Sequence, residues 1–172
     1  MQIGLLLHIH QHTGLGMQFQ KVKFLNVQKI PLGPLLLRDF GDHVLFAEDP
    51  MGHKKRNIKM ILDSFPHLSF VLIGDSGESD PEIYKDVVKE YPTRIRAVYI
   101  RSIDGRPARL AAIDKLIDEI RHTGSQLVLT PDSEFAAAHA AAEGLISTAL
   151  LAAVRSEKKK DQTAPTQQAL SR

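Results

Sequence analysis

The residues best suited to do chemistry lie at positions 74–80, which read Gly-Asp-Ser-Gly-Glu-Ser-Asp. They follow Phe70–Ile73, a wholly apolar run typical of a strand buried on both faces of a parallel sheet. Ligands of open α/β sheets bind at the carboxyl ends of the strands, where this segment would lie. Mg²⁺ prefers carboxylate oxygens, so we expect Asp75 to be a magnesium ligand. The alternative is that Asp75 sits in a solvent-exposed turn and Asp80 only caps the following helix.

The elements that position these residues are predicted from apolar spacing. From His53 to Phe65 apolar residues recur every three or four positions, which predicts an amphipathic helix with Lys54 on its basic, solvated face. Asp80 is expected to cap a second helix that ends at Pro92. Strands at 35–37, 70–73, 95–100 and 127–129 alternate with helices over 53–65, 80–91, 110–120 and an alanine-rich segment after Pro131. This alternation favours an α/β fold with an open, mostly parallel sheet.

Composition restricts the functional classes. The 172 residues include 22 Lys plus Arg and 20 Asp plus Glu, and a net charge of +2 gives no support to a nucleic-acid partner. The absence of cysteine excludes a thiolate nucleophile and cysteine-ligated zinc. The alanine-rich stretch at 135–154 contains His139 and Glu143, which favours an ordinary buried helix over a membrane span. We expect a cytoplasmic, soluble protein with at most peripheral membrane contact.

A family resemblance becomes specific at residues 70–84, Phe-Val-Leu-Ile-Gly-Asp-Ser-Gly-Glu-Ser-Asp-Pro-Glu-Ile-Tyr, followed by Ala-Val-Tyr-Ile-Arg at 97–101. These segments resemble the catalytic domain of the actin-patch-associated phosphatidate phosphatases and their bacterial relatives, in the haloacid dehalogenase superfamily. The resemblance implies a Rossmann-like sheet of the haloacid dehalogenase type, incomplete at its N-terminal side. It divides the chain into a poorly matching segment at 1–30, the C-terminal part of the catalytic domain at 31–154, and a disordered polar tail at 155–172.

The resemblance also implies an activity: magnesium-dependent hydrolysis of phosphatidate or another phosphate monoester through an aspartyl-phosphate. Lys54 matches the lysine that neutralises the phosphoryl group. Asp75 matches the magnesium-binding acid. Asp80 matches the second acid of the loop, which either binds the metal through water or orients Ser76 and Gly77, the expected substrate-binding residues.

One element of the resemblance is missing, because no Asp-x-Asp sequence occurs in the 172 residues. We expect the first strand and the nucleophile to lie upstream of Met1, since Asp39 and Asp42 have the wrong spacing and match a later loop. Three interpretations remain open. The chain is part of an active hydrolase, a non-catalytic module that binds a phosphate or phospholipid headgroup, or a poorly folding remnant that exposes apolar strand faces.

Three other patterns in the sequence give weaker evidence of function. The Asp39-Phe40-Gly41 tripeptide resembles a kinase metal loop but lacks the other kinase sequences. His8, His10 and His12 would lie on one face of a strand and could bind a divalent metal, without an obvious further ligand. The segment 13–16, Thr-Gly-Leu-Gly, lacks the Lys-Ser/Thr ending of a phosphate loop and is better explained as a turn.

Overall fold

The computed structural model describes residues 8–10, 35–37 and 50–163, with side chains described for 52–156. The strands are β1 (His8–His10), β2 (Leu35–Leu37), β3 (Phe70–Asp75), β4 (Ile95–Arg101) and β5 (Gln126–Thr130). The helices are α1 (Pro50–Ser64), α2 (Asp80–Glu90), α3 (Pro107–Ile120), α4 (Ser133–Ala142) and α5 (Thr148–Thr163), with a 3-10 turn at Arg121–Thr123.

The main sheet has three parallel strands in the order β3-β4-β5, and β1 pairs with β2 in a separate parallel ladder. The predicted α/β class and parallel sheet are therefore confirmed for the described residues. The register aligns Asp75 with Arg101 and Arg101 with Thr130, so the three strands end side by side. Whatever follows β3 thus lies at the carboxyl edge of the sheet.

The sheet is packed on both faces. On one face, α1, α2 and α3 bury apolar residues against the strands, with Leu62, Val87, Val88, Val98 and Ile113 among those almost wholly inaccessible to solvent. On the other face, Ala97 and Tyr99 of β4 contact Ala140 of α4 and Leu145. This two-sided burial explains why β4 is almost continuously apolar, as expected for the central strand of a parallel sheet.

The alanine-rich segment forms two helices, so the prediction of one continuous helix was wrong. Asp132 caps α4 by accepting a hydrogen bond from the Phe135 N–H at 2.9 Å. The helix ends at Ala142, two residues before Gly144, whose φ of +67° is a left-handed conformation that an α-helix cannot continue. A new helix, α5, then runs from Thr148 to Thr163, into the polar segment after residue 155. Within the described ranges, no helix combines the length and apolarity that crossing a bilayer requires.

Candidate metal and phosphate site

Residues 75–80, here called the acid loop, connect β3 to α2 at the carboxyl edge of the sheet. The Oδ1 atom of Asp75 accepts hydrogen bonds from the backbone N–H groups of Gly77 at 2.8 Å and Glu78 at 3.1 Å. These bonds fold the loop back over its own first residue, a local arrangement that Asp favours in turns. The second carboxylate oxygen of Asp75 accepts no hydrogen bond among the described residues and is available to a ligand.

Asp80 is buried, and its carboxylate binds other residues of the site instead of facing solvent. One of its carboxylate oxygens forms an ion pair with the Lys54 ammonium, and the other accepts a hydrogen bond from the Asp75 backbone N–H at 3.1 Å. The prediction that Asp80 is the helix N-cap was wrong: Ser79 occupies that position and makes no side-chain cap bond. The Asp80 carboxylate is instead drawn inward, because a buried ammonium stabilises it more than a cap N–H does.

Lys54 is the central cation of the site. The sequence pattern predicted a solvated position for it on α1, but only 3% of its surface is exposed. That prediction was wrong because position 54 lies one and two turns before Ile58 and Ile61, and therefore shares their buried face. Lys54 contacts two carboxylates, Asp80 and the side chain of Glu78, the latter at 3.2 Å.

The electrostatics follow from this burial. Desolvation raises the pKa of the Asp80 carboxyl above its ordinary value, and the Lys54 ammonium opposes that change. Burial also raises the pKa of Tyr84 well above its usual range, with the charge of Asp80 adding to the effect. Tyr84 therefore stays neutral, and its hydroxyl donates a hydrogen bond to the Ile73 carbonyl at 2.9 Å. Through this bond Tyr84 holds the end of β3, where the acid loop begins.

Gly74 is required by the close approach of Asp80. A Cβ atom at position 74 would lie 2.7 Å from both Cβ and Cγ of Asp80, and closer still to its Oδ2 atom. Only glycine leaves room for the Asp80 carboxylate to reach the Asp75 N–H. No role for Gly74 was predicted from the sequence, although a glycine directly before an aspartate at a strand end indicates such an approach.

Ser76 and Gly77, the expected substrate-binding residues, occupy different environments. The Ser76 hydroxyl is buried and accepts hydrogen bonds from the N–H groups of Ile103 and Asp104, both at 2.9 Å. Gly77 is exposed, and its backbone lies next to the side chain of Ile103. Ser76 thus joins the acid loop to the loop after β4, and Gly77 lies on the outer side.

The structure brings together all five predicted site residues. Lys54, Asp80 and Asp75 form one connected set, and Ser76 and Gly77 continue it along the loop. The predictions about Asp39, Asp42, His12 and the segment 13–16 fall outside the described residues, and the side chains of His8 and His10 are likewise outside the described range.

The donor chemistry of the acid loop fits Mg²⁺. Among residues 52–156 no group of three or more His, Asp or Glu side chains is arranged to hold a metal. Mg²⁺ commonly takes only one or two protein carboxylates, with water and substrate phosphate completing its shell. Asp75 has a carboxylate oxygen available for this role, whereas both oxygens of Asp80 are already engaged. Asp75 is therefore the residue that could bind the metal directly, and Asp80 holds the Asp75 backbone.

The matches found among known proteins are to phosphatidate phosphatases of the APP1 type. Residues 17–102 match the family described as phosphatidate phosphatase APP1, catalytic domain, a range that contains Lys54 and the whole acid loop. A relative from Saccharomyces cerevisiae, phosphatidate phosphatase APP1, is 36% identical over 73 residues. The match covers 41% of this chain and 12% of the yeast protein, so the chain spans only a small part of that relative. No solved structure matches the chain.

Proposed function

Because the chain belongs to the phosphatidate phosphatase APP1 catalytic-domain family, we propose that its acid loop is part of a magnesium-dependent site for a phosphate monoester, phosphatidate above all. The observation that carries this proposal is the connected set of Lys54, Asp80 and Asp75 at the carboxyl edge of a parallel sheet. The same arrangement supports a fold of the haloacid dehalogenase type.

Each residue has a distinct role in this proposal. The carboxylate oxygen of Asp75 that accepts no hydrogen bond from a described residue would hold Mg²⁺, and the bound metal would neutralise charge on the phosphate. Asp80 fixes both the Lys54 ammonium and the Asp75 backbone, so the positions of cation and metal ligand are set together. The burial of Lys54 and Asp80 strengthens the electrostatic interaction between them, because little water is present to screen it.

Lys54 has room to exchange one partner. Its contact with Asp80 is buried, but the Glu78 side chain that forms its second contact is 40% exposed. A phosphate that approaches the loop would compete with Glu78 for the ammonium and leave the Asp80 contact in place. In this way Lys54 would neutralise part of the phosphate charge.

A second candidate function is binding without turnover. It is favoured by the absence of any Asp-x-Asp sequence, because an aspartyl-phosphate cannot form without an aspartate nucleophile. In that case the acid loop and Lys54 would bind a phosphate or a phospholipid headgroup without cleaving it.

Phosphate release distinguishes the two. Purified protein is incubated with phosphatidate or p-nitrophenyl phosphate, with and without Mg²⁺, alongside the Asp75→Asn and Asp39→Asn variants. Asp118→Asn is the matched control, because Asp118 is exposed and its ion-pair partner among the described residues is nearby Arg121. Magnesium-dependent release that is lost in Asp75→Asn and kept in Asp118→Asn establishes hydrolysis. Phosphate binding without release in a folded sample establishes the second function. Failure to bind phosphate at all refutes both.

A further inference from the structure

Arg109 reaches the acid loop from outside the region that matches the family. It lies in the first turn of α3, and its guanidinium donates to the backbone carbonyls of Ser76 at 2.8 Å and Glu78 at 2.7 Å. Glu82, in the first turn of α2, accepts from the same guanidinium through both of its carboxylate oxygens. The family match ends at residue 102, before Arg109.

We infer that Arg109 is a positioning residue for the acid loop, and this inference rests on the proposed magnesium and phosphate site. The two carbonyls that it holds lie on either side of Gly77. Asp75 in turn accepts from the N–H groups of Gly77 and Glu78. By holding the loop from its outer side, Arg109 keeps these N–H groups directed at the Asp75 carboxylate and so orients the proposed metal ligand.

The geometry requires a guanidinium. Three acceptors, two carbonyls and one carboxylate, surround Arg109, and a planar fork of N–H groups can serve all of them at once. A lysine ammonium is a point charge that lacks this fork. The Arg109 side chain is only 18% exposed, so water does not readily replace lost bonds.

Other arginines show that this role is not a general one. Arg106 and Arg121 pair with carboxylates two and three residues away, on their own segment. Arg94 also holds backbone carbonyls, those of Leu62, Phe65 and Leu68, but these belong to the end of α1 and its connection to β3. The Arg109 guanidinium, by contrast, binds backbone carbonyls of the acid loop itself.

The test measures loop order and metal binding separately. Amide hydrogen exchange of Gly77 and Glu78 is followed by NMR in metal-free protein, and Mg²⁺ affinity is measured by titration calorimetry. The variants are Arg109→Gln and Arg109→Lys, with Arg121→Gln as the control. We expect both Arg109 variants to exchange these two amides faster and to bind Mg²⁺ more weakly, by about 10-fold in Arg109→Gln. The control is expected to match the wild type.

The outcomes separate this inference from the function on which it rests. A role confined to stability would lower the melting temperature of Arg109→Gln and leave Mg²⁺ affinity and the two exchange rates unchanged, which overturns the inference alone. Arg109→Lys keeps the charge and guards against a variant that does not fold. If the wild type shows no saturable Mg²⁺ binding, the proposed function is refuted and the positioning role is refuted with it.

Discussion

Replacing Gly74 with alanine tests whether the space at the end of β3 is reserved for Asp80. The added methyl group would lie 2.7 Å from two carbon atoms of Asp80, well inside van der Waals contact. Asp80 cannot easily move away, because the Lys54 ammonium and the Asp75 N–H hold its two carboxylate oxygens. Either the β3 backbone shifts or Asp80 loses one of these buried contacts.

The expected loss of stability follows from the two effects. Overpacking a tight site costs about 1–3 kcal/mol. If Asp80 moves instead and one of its hydrogen bonds breaks, the protein loses the contribution of a hydrogen bond to a charged group, about 1.5–3 kcal/mol. Since the two responses are alternatives, we expect a decrease of about 2–3 kcal/mol in the free energy of unfolding.

Urea unfolding monitored by circular dichroism measures this decrease. Gly105→Ala is the matched control, because a Cβ at position 105 has no atom within 4 Å. That control is expected to stay within about 0.5 kcal/mol of the wild type. If Gly74→Ala and Gly105→Ala prove equally stable, Asp80 does not occupy the position described and the account of the site is wrong.

Three further predictions concern the charges of the site and its surroundings. Lys54→Met leaves the Asp80 carboxylate buried without its cation and should lower the free energy of unfolding by about 3–5 kcal/mol. The decrease should be smaller when Lys54→Met is combined with Asp80→Asn, and additive decreases in urea unfolding would contradict this. Glu78→Gln removes the carboxylate that competes for Lys54 and should raise phosphate affinity about threefold in a ³¹P NMR titration, whereas unchanged affinity would show that Glu78 does not compete. The hydrogen bonds from Arg106 lower the pKa of the Asp104 carboxyl from 3.8 to about 2. The stabilisation of the folded state by this interaction is therefore present above pH 3.8 and is lost as the pH falls toward 2. In Arg106→Gln the pKa of Asp104 should rise toward 3.8 in a carboxyl ¹³C titration, and a value still near 2 would assign the shift to another group.

Local patterns in the sequence predicted much of this arrangement. The apolar run of β3 and the polar residues after it gave the position of the acid loop, because both signals lie within a dozen residues. The parallel sheet followed from the alternation of elements and is confirmed for β3, β4 and β5. The break at Gly144 was missed because alanine on both sides favours a helix, and a single glycine inside such a run is often tolerated.

The features of the site that were not predicted from the sequence involve partners that are far apart in the chain. Asp80 has a residue type that favours an N-cap, but its strongest partner is Lys54, 26 positions away in the sequence. Lys54 was placed with the other basic residues by charge, although its spacing to Ile58 and Ile61 puts it on the buried face. Arg109 bonds to a carbonyl 33 positions away, and no short sequence pattern marks such a contact.

The measurement that tests the central claim most directly is phosphate binding by calorimetry, with and without Mg²⁺, in the wild type and in Asp75→Asn. The asparagine keeps an oxygen that can accept from the Gly77 and Glu78 N–H groups, so it removes the charge and preserves the fold of the loop. We predict that Mg²⁺ tightens phosphate binding in the wild type and in the Asp118→Asn control, and has no effect in Asp75→Asn. Phosphate binding that is indifferent to Mg²⁺, or equally responsive to Mg²⁺ in Asp75→Asn, would contradict the assignment of Asp75 as the metal ligand of a phosphate site.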